Sequence, residues 1–333
     1  MDPIVAIVVG FGLLILGGEL LVQGSVRAAR SFGVSPLLIG IVLVGFGTSA
    51  PEMAISLQAA DMGSPGIAIG NFVGSCISNI LLVLGLSALV KPIDVASRAL
   101  SRDGTVVVLS ALSFAAIGVF LPLDRYVGSI LLLWLMTYLL YAWRQERVTT
   151  SVDSTSAVQK AEAHGQLRRI NADGRIVAHM RKGMPAMAAL AMALAGLAVL
   201  VLGGRILVDG AVALARQFQV AEAVIGLTIV AIGTSMPELV TSLVAAVRNQ
   251  PAVAVGNILG SNIYNILGVG GLTGLVAPTL VPERIVTFDN AVMVIASLVL
   301  MIFARSGFRI SRLEGAVLFA GYGVYLYTLW PGL

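Results

Sequence analysis

The sequence predicts an all-α polytopic membrane protein with ten transmembrane helices, arranged as two inverted repeats of five. Charged residues make up only 11% of its 333 residues, against roughly 25% in ordinary soluble proteins. Apolar runs of roughly 20 residues, the length at which a helix spans a bilayer, recur along nearly the whole chain. The two halves of the chain also repeat each other at one fixed offset. These observations exclude a soluble multidomain enzyme, a disordered chain and an alternating β-barrel.

Ten apolar segments are the predicted transmembrane helices, and five lie on each side of a polar interval. Their approximate ranges are 4–23, 35–60, 66–90, 104–122, 126–143, 184–203, 221–246, 251–276, 286–304 and 314–331. The first segment follows Met1 and Asp2 directly, without a positively charged start or a cleavage site, so we expect a retained helix. The polar interval is rich in Lys and Arg and is interpreted as a flexible linker that includes some helix. The chain therefore divides into a first five-helix repeat at 1–143, the linker at 144–183 and a second repeat at 184–333.

The second half of the chain repeats the first without gaps, at the single offset that aligns Glu52 with Glu238. When 40–86 is matched to 226–272, 24 of the 47 positions are identical, which indicates an internal duplication. Each repeat has five predicted spans. Because five is an odd number, the two repeats must cross the membrane in opposite senses, as the inverted repeats of many secondary transporters do.

The basic residues predict the orientation of the helices. If the N-terminus is outside, 17 of the 21 Lys and Arg residues fall in cytoplasmic segments, as the positive-inside rule requires. We therefore expect both termini outside the cell (inner) membrane and the linker 144–183 in the cytoplasm, where it can contact anionic lipid. Nucleic-acid binding by the linker is the weaker alternative, because orientation alone accounts for its charges. No obligate protein partner is predicted.

Two glutamates lie in the middle of apolar segments. Glu52 ends Gly-Phe-Gly-Thr-Ser-Ala-Pro-Glu at 45–52, and Glu238 ends Ala-Ile-Gly-Thr-Ser-Met-Pro-Glu at 231–238. A charged carboxylate at mid-membrane is costly unless a partner or water compensates it, so such residues are functional by default. Neither stretch contains a Lys or Arg, so the compensating charge must come from elsewhere. Two carboxylates related by the repeat would suit a divalent cation.

A proline precedes each glutamate and is expected to interrupt its helix. Pro51 cannot donate to the carbonyl of Gly47, and Pro237 cannot donate to that of Gly233. Freed carbonyls and half-helix ends bind hard cations, and irregular backbone at this depth is tolerable only where it lines a cavity. Further hydroxyl oxygens come from Thr48, Ser49, Thr234 and Ser235. Close helix packing is the alternative for the small residues, but it does not account for the carboxylates.

Amides and hydroxyls recur at intervals of four in the third and eighth segments. They are Asn71, Ser75 and Asn79 in the first repeat and Asn257, Ser261 and Asn265 in the second. This interval places each trio along one face of a helix, and a polar face in mid-membrane must contact protein or a water-filled cavity. Their oxygens are potential ligands for Na⁺ or Ca²⁺. Interhelical hydrogen bonding is the alternative, and it has most weight for Asn71 and Asn257, which lie nearer the segment starts.

These motifs resemble the calcium/cation antiporter superfamily, and within it the prokaryotic sodium/calcium exchanger group. Gly-Thr-Ser-x-Pro-Glu followed by Gly-Asn-x-x-Gly-Ser-x-Ile-x-Asn occurs twice, and the resemblance covers essentially the whole chain. It implies the sodium/calcium exchanger fold and a transporter, not an enzyme, that exports Ca²⁺ against Na⁺ and needs no cofactor. It also implies that the first and sixth segments slide as a gating pair across a fixed core.

The resemblance further implies roles for individual residues. The Ca²⁺ ligands would be the two glutamates and the backbone carbonyls of Thr48 and Thr234. The Na⁺ ligands would be Gly45, Ser49, Glu52, Ser75, Asn79, Ala231, Ser235, Glu238, Ser261 and Asn265. Supporting positions would be Pro51, Pro237, Asn71 and Asn257.

The chain departs from the family pattern at two positions. Many sodium/calcium exchangers have an aspartate where this chain has Asn265, and the matching Asn79 is also an amide, which leaves two central carboxylates. Burial favours the protonated form of a carboxyl group, so a Ca²⁺/H⁺ antiporter is the first alternative. Cys76, which matches Asn262, is expected to pack as a small apolar residue. A passive cation channel is the alternative from another class, disfavoured because this chain contains its own two halves.

Overall fold

The computed structural model describes residues 1–96, 100–163, 184–218 and 231–329, and these residues are almost entirely helical. The helices are α1 (Pro3–Phe32), α2a (Pro36–Thr48), α2b (Ala50–Asp61), α3 (Pro65–Val90), α4 (Leu100–Phe120), α5 (Arg125–Ala163), α6 (Ala186–Gln217), α7a (Ala231–Thr234), α7b (Met236–Val247), α8 (Pro251–Val276), α9 (Ile285–Arg305) and α10 (Arg312–Leu329). Two short strands, β1 (Ile93–Asp94) and β2 (Arg309–Ile310), pair in antiparallel orientation.

Seven of the described helices are long and apolar enough to cross a bilayer. They are α1, α3, α4, α5 over Arg125–Gln145, α6, α8 and α9. The two parts of α2 meet the same criterion when they are taken together, although they are bent by 42° relative to each other. The protein is therefore an integral membrane protein. Helix α7b is apolar but has only 12 residues, and the first half of the predicted seventh segment, up to residue 230, lies outside the described residues.

Helices α3 and α8 form the centre of the molecule. In their most apolar windows, 78% of α3 and 94% of α8 are buried, compared with 28–44% of the other five spanning helices. Small residues on α8 allow neighbouring backbone to approach it closely. A Cβ atom on Gly256 would lie 2.7 Å from the carbonyl oxygen of Leu37, and one on Gly260 would lie 2.9 Å from Cα of Ile41. Helix α2a therefore packs directly on α8, and the polar residues of α8 face the interior.

Helices α1 and α6 pack against each other as an antiparallel pair along regularly spaced glycines. The close approaches pair Gly10 with Leu207, Gly17 with Leu200, Gly24 with Ala193, Gly196 with Leu21, Gly203 with Leu14 and Gly210 with Ala6. A Cβ atom on Gly17 would lie 2.5 Å from the backbone nitrogen of Leu200, so only glycine permits this separation. The six glycines occupy matching positions in the two repeats, so each repeat contributes an equivalent helix to the pair.

The helices that carry the two glutamates are both interrupted shortly before the proline. Ser49 separates α2a from α2b with φ −82° and ψ 0°, and Ser235 separates α7a from α7b with φ −87° and ψ 5°. Pro51 and Pro237 then occupy the first turn of the following helix, where a missing N–H costs no hydrogen bond. The predicted interruption of the helices is confirmed.

Three helices extend beyond the ranges predicted from hydropathy. Helix α1 continues to Phe32 instead of about 23, and α6 to Gln217 instead of about 203. Hydropathy falls where polar side chains begin, but the backbone hydrogen bonds of the helix continue beyond that point. Helix α1 ends at Gly33, which has a left-handed conformation with φ 64°. Helix α5 continues to Ala163, well into the predicted linker, and residues 164–183 lie outside the described residues.

Candidate cation-binding site

The two glutamates predicted from the sequence are fully buried at the start of α2b and α7b. The exposed fraction is 0% for Glu52 and 1% for Glu238. Within the described ranges, neither oxygen of Glu52 has a hydrogen-bond partner, and Oε2 of Glu238 has none either. Oε1 of Glu238 lies 3.5 Å from the hydroxyl of Ser49. Ser49, which contacts Glu238, is only three residues before Glu52 in the chain, so the two glutamates belong to one region. Among the described residues no ion pair reaches either of them.

Asn71 and Asn257 fix the two glutamate-bearing helices to the central helices. The amide nitrogen of Asn71 donates to the carbonyl of Glu52 at 3.2 Å and to the hydroxyl of Ser56 at 3.0 Å. The amide nitrogen of Asn257 donates to the carbonyl of Glu238 at 3.2 Å and to the hydroxyl of Ser242 at 2.9 Å. Donors and acceptors occupy matching positions in the two repeats, so both repeats support their glutamate in the same way.

A chain of hydroxyls and carbonyls joins α2a to α8 beside the glutamates. The hydroxyl of Thr48 donates to the amide oxygen of Asn257 at 3.0 Å and lies 3.3 Å from the hydroxyl of Ser261. Ser261 donates to the carbonyl of Gly45 at 3.3 Å. A Cβ atom on Gly45 would lie 3.1 Å from the backbone of Gly260, so Gly45 also serves close packing.

Asn79 and Asn265 present buried amides that have no hydrogen-bond partner among the described residues. Their exposed fractions are 1% and 0%, and both amide atoms of each lack a hydrogen bond. The stretches Asn79–Leu84 and Tyr264–Val269 are π-helical, a wider helix that is frequent at functional sites. Buried amides without partners cost free energy, so these oxygens are suited to ligating an ion.

The remaining predicted residues are Ser75, Ser235 and Ala231. Ser75 is 5% exposed, and the hydroxyl of Ser235 lies 3.0 Å from that of Ser78. Ala231 begins α7a, but its side chain lies outside the described residues. Among the described residues no three His, Cys, Asp or Glu side chains form a metal-binding group, so a cation held by the two glutamates would draw its other ligands from hydroxyls, amides and carbonyls.

Two cavities border the helices that carry the glutamates, and both are lined by Ile55 and Thr234. The smaller, of about 230 Å³, separates α2b from α6 and is lined by Pro51, Thr234 and Pro237. The larger, of about 430 Å³, adjoins α2b, α3, α9 and α10 and is lined by Asn71, Ser75 and also Thr234. Both predicted prolines therefore border a cavity instead of lipid, as irregular backbone at membrane depth requires.

The opposite side is closed by contacts between α1 and α7b. A Cβ atom on Gly18 would lie 3.1 Å from Val240 and 3.4 Å from Val244. The guanidinium of Arg248 donates to Glu19 at 2.8 Å across the same boundary. Within the described residues, the site is thus approached by cavities on one side and covered by packed helices on the other.

Comparison with known proteins identifies the family. The pattern that describes the sodium/calcium exchanger protein family matches residues 3–144 and 188–330 of this chain. The chain belongs to that family. It is 35% identical over 331 residues to inner membrane protein YrbG of Escherichia coli K12, covering 97% of this chain and 95% of YrbG. It is 32% identical over 349 residues to sodium/calcium exchanger MaX1 of Methanosarcina acetivorans, covering 97% of each chain.

A solved structure of the sodium-calcium exchanger NCX_Mj, soaked with Na⁺ and Ca²⁺, has the same fold. It superimposes with a TM-score of 0.81 at 33% sequence identity and covers 99% of this chain and 100% of NCX_Mj. The predicted membership of the calcium/cation antiporter group is therefore confirmed. The relatives that carry a functional name are called exchangers or antiporters, which are transporters.

Two aspartate–tyrosine pairs of this chain were not predicted. Tyr138 donates to Asp103 at 2.9 Å, and Tyr325 donates to Asp289 at 3.1 Å. Asp103 and Asp289 occupy matching positions in the two repeats, and this repetition of an acid was the available signal. Tyr325 is one residue away from the position that matches Tyr138, so the alignment alone did not connect the tyrosines with the acids.

Proposed function

We propose that this protein is a secondary antiporter that exports Ca²⁺ in exchange for Na⁺ by alternating access at Glu52 and Glu238. The observation that carries the proposal is the burial of two carboxylates, three of whose four oxygens lack a hydrogen-bond partner. In a membrane such charges require a compensating cation. Membership of the sodium/calcium exchanger family supports Ca²⁺ as the substrate.

Competition for the same oxygens would couple the two ions. Two carboxylates balance the charge of one Ca²⁺, whose shell of roughly six to eight oxygens would be completed by the carbonyls of Thr48 and Thr234 and by neighbouring hydroxyls. Na⁺ would use the same glutamates together with the predicted hydroxyl and amide ligands, among them Ser75, Asn79 and Asn265. Because the shared oxygens cannot hold both sets of ions at full occupancy, loading one ion displaces the other.

The proposal includes ten spans in two inverted repeats of five, at 1–143 and 184–333, joined by the linker 144–183. Matched hydrogen bonds from Asn71 and Asn257 support this arrangement. Matched backbone pairing supports it as well. Ile93 pairs with Ile310 at one end of the molecule, and Leu123 pairs with Thr279 at positions that match these within one residue.

The proposed orientation has both termini outside the inner membrane and the linker in the cytoplasm. The bias of basic residues supports it, and so does the name of the related inner membrane protein YrbG. In this orientation both cavities open outward, and the Glu19–Arg248 side faces the cytoplasm. The matched NCX_Mj structures concern extracellular ion exchange, which agrees with a conformation open to the outside.

Exchange of Ca²⁺ for H⁺ is the second candidate. It is favoured by the amides at Asn79 and Asn265, which leave only two acids in the centre, and by the absence of hydrogen-bond partners for both oxygens of Glu52. Three Na⁺ would exceed the charge of two carboxylates, whereas two protons would match it. Which gradient drives transport therefore distinguishes the candidates.

Uptake of radiolabelled Ca²⁺ into everted membrane vesicles tests the function. Vesicles loaded with Na⁺ should accumulate Ca²⁺ from the bath, since their lumen corresponds to the outside of the cell. Accumulation that requires a proton gradient and ignores Na⁺ would identify the Ca²⁺/H⁺ antiporter. Ca²⁺ entry that merely equilibrates without either gradient would indicate a passive channel.

Replacement of either glutamate tests the site. Glu52→Gln and Glu238→Gln keep side-chain volume but remove one of the two charges, so each should abolish accumulation. Glu283→Gln is the matched control, because Glu283 is an exposed acid just before α9 and should transport normally. Normal accumulation in both glutamine variants of the site would refute the proposed role of the glutamates.

A further inference from the structure

Asp289 of α9 is a buried acid that the Glu52–Glu238 site does not use. It lines the larger cavity, of about 430 Å³, together with Ser75, Ser78 and Thr234. Its exposed fraction is 6%. One oxygen accepts from the hydroxyl of Tyr325 at 3.1 Å, and the other lies 3.6 Å from Nε of Arg284, whose side chain is 51% exposed. The carboxylate is therefore held in place but only loosely paired with a cation.

The matching acid of the first repeat, Asp103, is in a different state. Arg102 contacts both of its oxygens, with Nε at 2.6 Å and a second guanidinium nitrogen at 3.0 Å. Tyr138 donates to it at 2.9 Å, and the side chain of Asp103 is 0% exposed. Two-point pairing of this kind neutralises a carboxylate strongly. Of the two matched acids, Asp289 is thus the one whose charge reaches a cavity.

The cavity connects Asp289 with a ligand of the proposed central site. Ser75 lies in its wall and is 5% exposed, and its hydroxyl makes no hydrogen bond within the described part of the chain. A hydroxyl oxygen in a cavity wall can replace a water molecule in the shell of a cation. The cavity therefore has a carboxylate on one wall and an unpaired hydroxyl on another.

We propose that Asp289 is an access site for a monovalent cation, which it concentrates in this cavity and delivers through Ser75 to the Glu52–Glu238 site. The inference rests on the proposed function. A single carboxylate balances one positive charge, whereas a divalent cation usually takes more than one carboxylate. A cleft with one sign of charge and low-dielectric walls raises the local concentration of the opposite ion. The probe is Na⁺, acting from the side opposite the linker.

Everted vesicles allow the two faces of the protein to be measured separately. In vesicles with graded luminal Na⁺, Asp289→Asn should raise the Na⁺ concentration for half-maximal Ca²⁺ uptake by about three- to tenfold. The asparagine side chain can still accept the hydrogen bond from Tyr325, so this variant would keep any purely structural role of Asp289. Asp289→Glu keeps the charge and should restore the wild-type value. Asp2→Asn removes an equal charge from the exposed start of α1 and still caps that helix, so it should have no effect.

Na⁺ in the bath acts on the linker face. The bath Na⁺ concentration that gives half-maximal release of preloaded Ca²⁺ should therefore be unchanged in Asp289→Asn. An equal shift on both faces would overturn the inference, as would a shift in Asp2→Asn of the same size. If wild-type vesicles show no Na⁺-driven uptake, the proposed function fails by itself.

The access site is then tested by sodium NMR line broadening on the purified Glu52→Gln, Glu238→Gln protein. Broadening that persists there and disappears on adding Asp289→Asn supports the site, and broadening that Asp289→Asn leaves intact refutes it.

Discussion

At the scale of the residue, two matched asparagines show how the glutamates are held. Asn71 and Asn257 each donate both amide hydrogens to the neighbouring helix, one to the glutamate's backbone carbonyl and one to a serine. Asn257 also accepts from Thr48, whereas Asn71 is only partly buried. An amide can make these contacts because it offers two donors and an acceptor in one plane. The carboxylate oxygens are left available for a cation.

Asn257→Ala should therefore destabilise the protein more than Asn71→Ala. The change removes three hydrogen bonds and leaves buried partners unsatisfied, which costs about 1–3 kcal/mol per unpaired group. Unfolding of the purified protein in detergent measures the difference, with Asn71→Ala as the matched variant. An equal or smaller loss for Asn257→Ala would show that Thr48 finds another partner.

At the scale of the element, the α1–α6 pair depends on six glycines at the contact. A branched side chain at Gly17 would collide with the backbone of Leu200, and backbone cannot move aside as a side chain can. Gly12 lies on the same helix, but a Cβ atom placed there would have no neighbour within 4 Å. The two positions therefore separate the effect of packing from that of helix propensity.

Gly17→Val should separate α1 from α6 and destabilise the protein by about 1–3 kcal/mol, with a matching loss of transport. Gly12→Val introduces the same residue into open space and should have little effect on either property. Thermal unfolding and Ca²⁺ uptake measure the two outcomes. Similar behaviour of both variants would mean that the glycine contact is not what sets this spacing.

The ion pair between Glu19 of α1 and Arg248 at the end of α7b lies on the closed side. Its side chains are 22% and 59% exposed, so the pair contributes only about 0–1 kcal/mol. Glu19→Gln should shift the protein toward opening on that side and lower the bath Na⁺ needed to release Ca²⁺ from everted vesicles, by about two- to fivefold. The charge-swapped protein, with Glu19→Arg and Arg248→Glu, should return to the wild-type value. An unchanged Na⁺ dependence in Glu19→Gln would exclude a latch at this contact.

At the scale of the whole molecule, the two faces differ although the repeats are similar. Two cavities open on one face, whereas α1 packs on α7b at the other. Residues that match in the two repeats therefore lie in different environments in one structure. Alternating access requires such asymmetry. If each repeat took up the conformation of the other, the opposite face would open.

Topology mapping tests the arrangement of the repeats. Because each repeat has five predicted spans, reporters fused before residue 1 and after residue 333 should both be active outside, and one inserted in the linker should be active in the cytoplasm. Alkaline phosphatase and a fluorescent protein are suitable reporters, since each functions on only one side of a bacterial inner membrane. Termini on opposite sides would contradict the inverted repeat.

The sequence by itself determined the membrane class, the duplication and the two glutamates, because each is recorded in local residue type and spacing. Low charge and runs of about 20 apolar residues suffice to predict helices in a bilayer. Hydropathy underestimated the lengths of α1 and α6, because their last turns are polar but still form the backbone hydrogen bonds of the helix. The predicted ligand roles remain predictions, although the structure brings Glu238 together with Thr48, Ser49 and Asn257.

Only the tertiary structure decided how matched positions differ in their contacts. Asp103 and Asp289 match, but Phe288 stands where the first repeat has Arg102, and the structure shows that Arg102 pairs with Asp103 whereas Asp289 lines a cavity. It also revealed two cavities beside the glutamate-bearing helices, lined by Pro51, Pro237 and Thr234 among others. The physical reason is that pairing and access depend on which helices meet, and a helix contact joins residues far apart in the chain. Contacts between α1 and α7b close one face of this molecule, whereas cavities border the glutamate-bearing helices on the other.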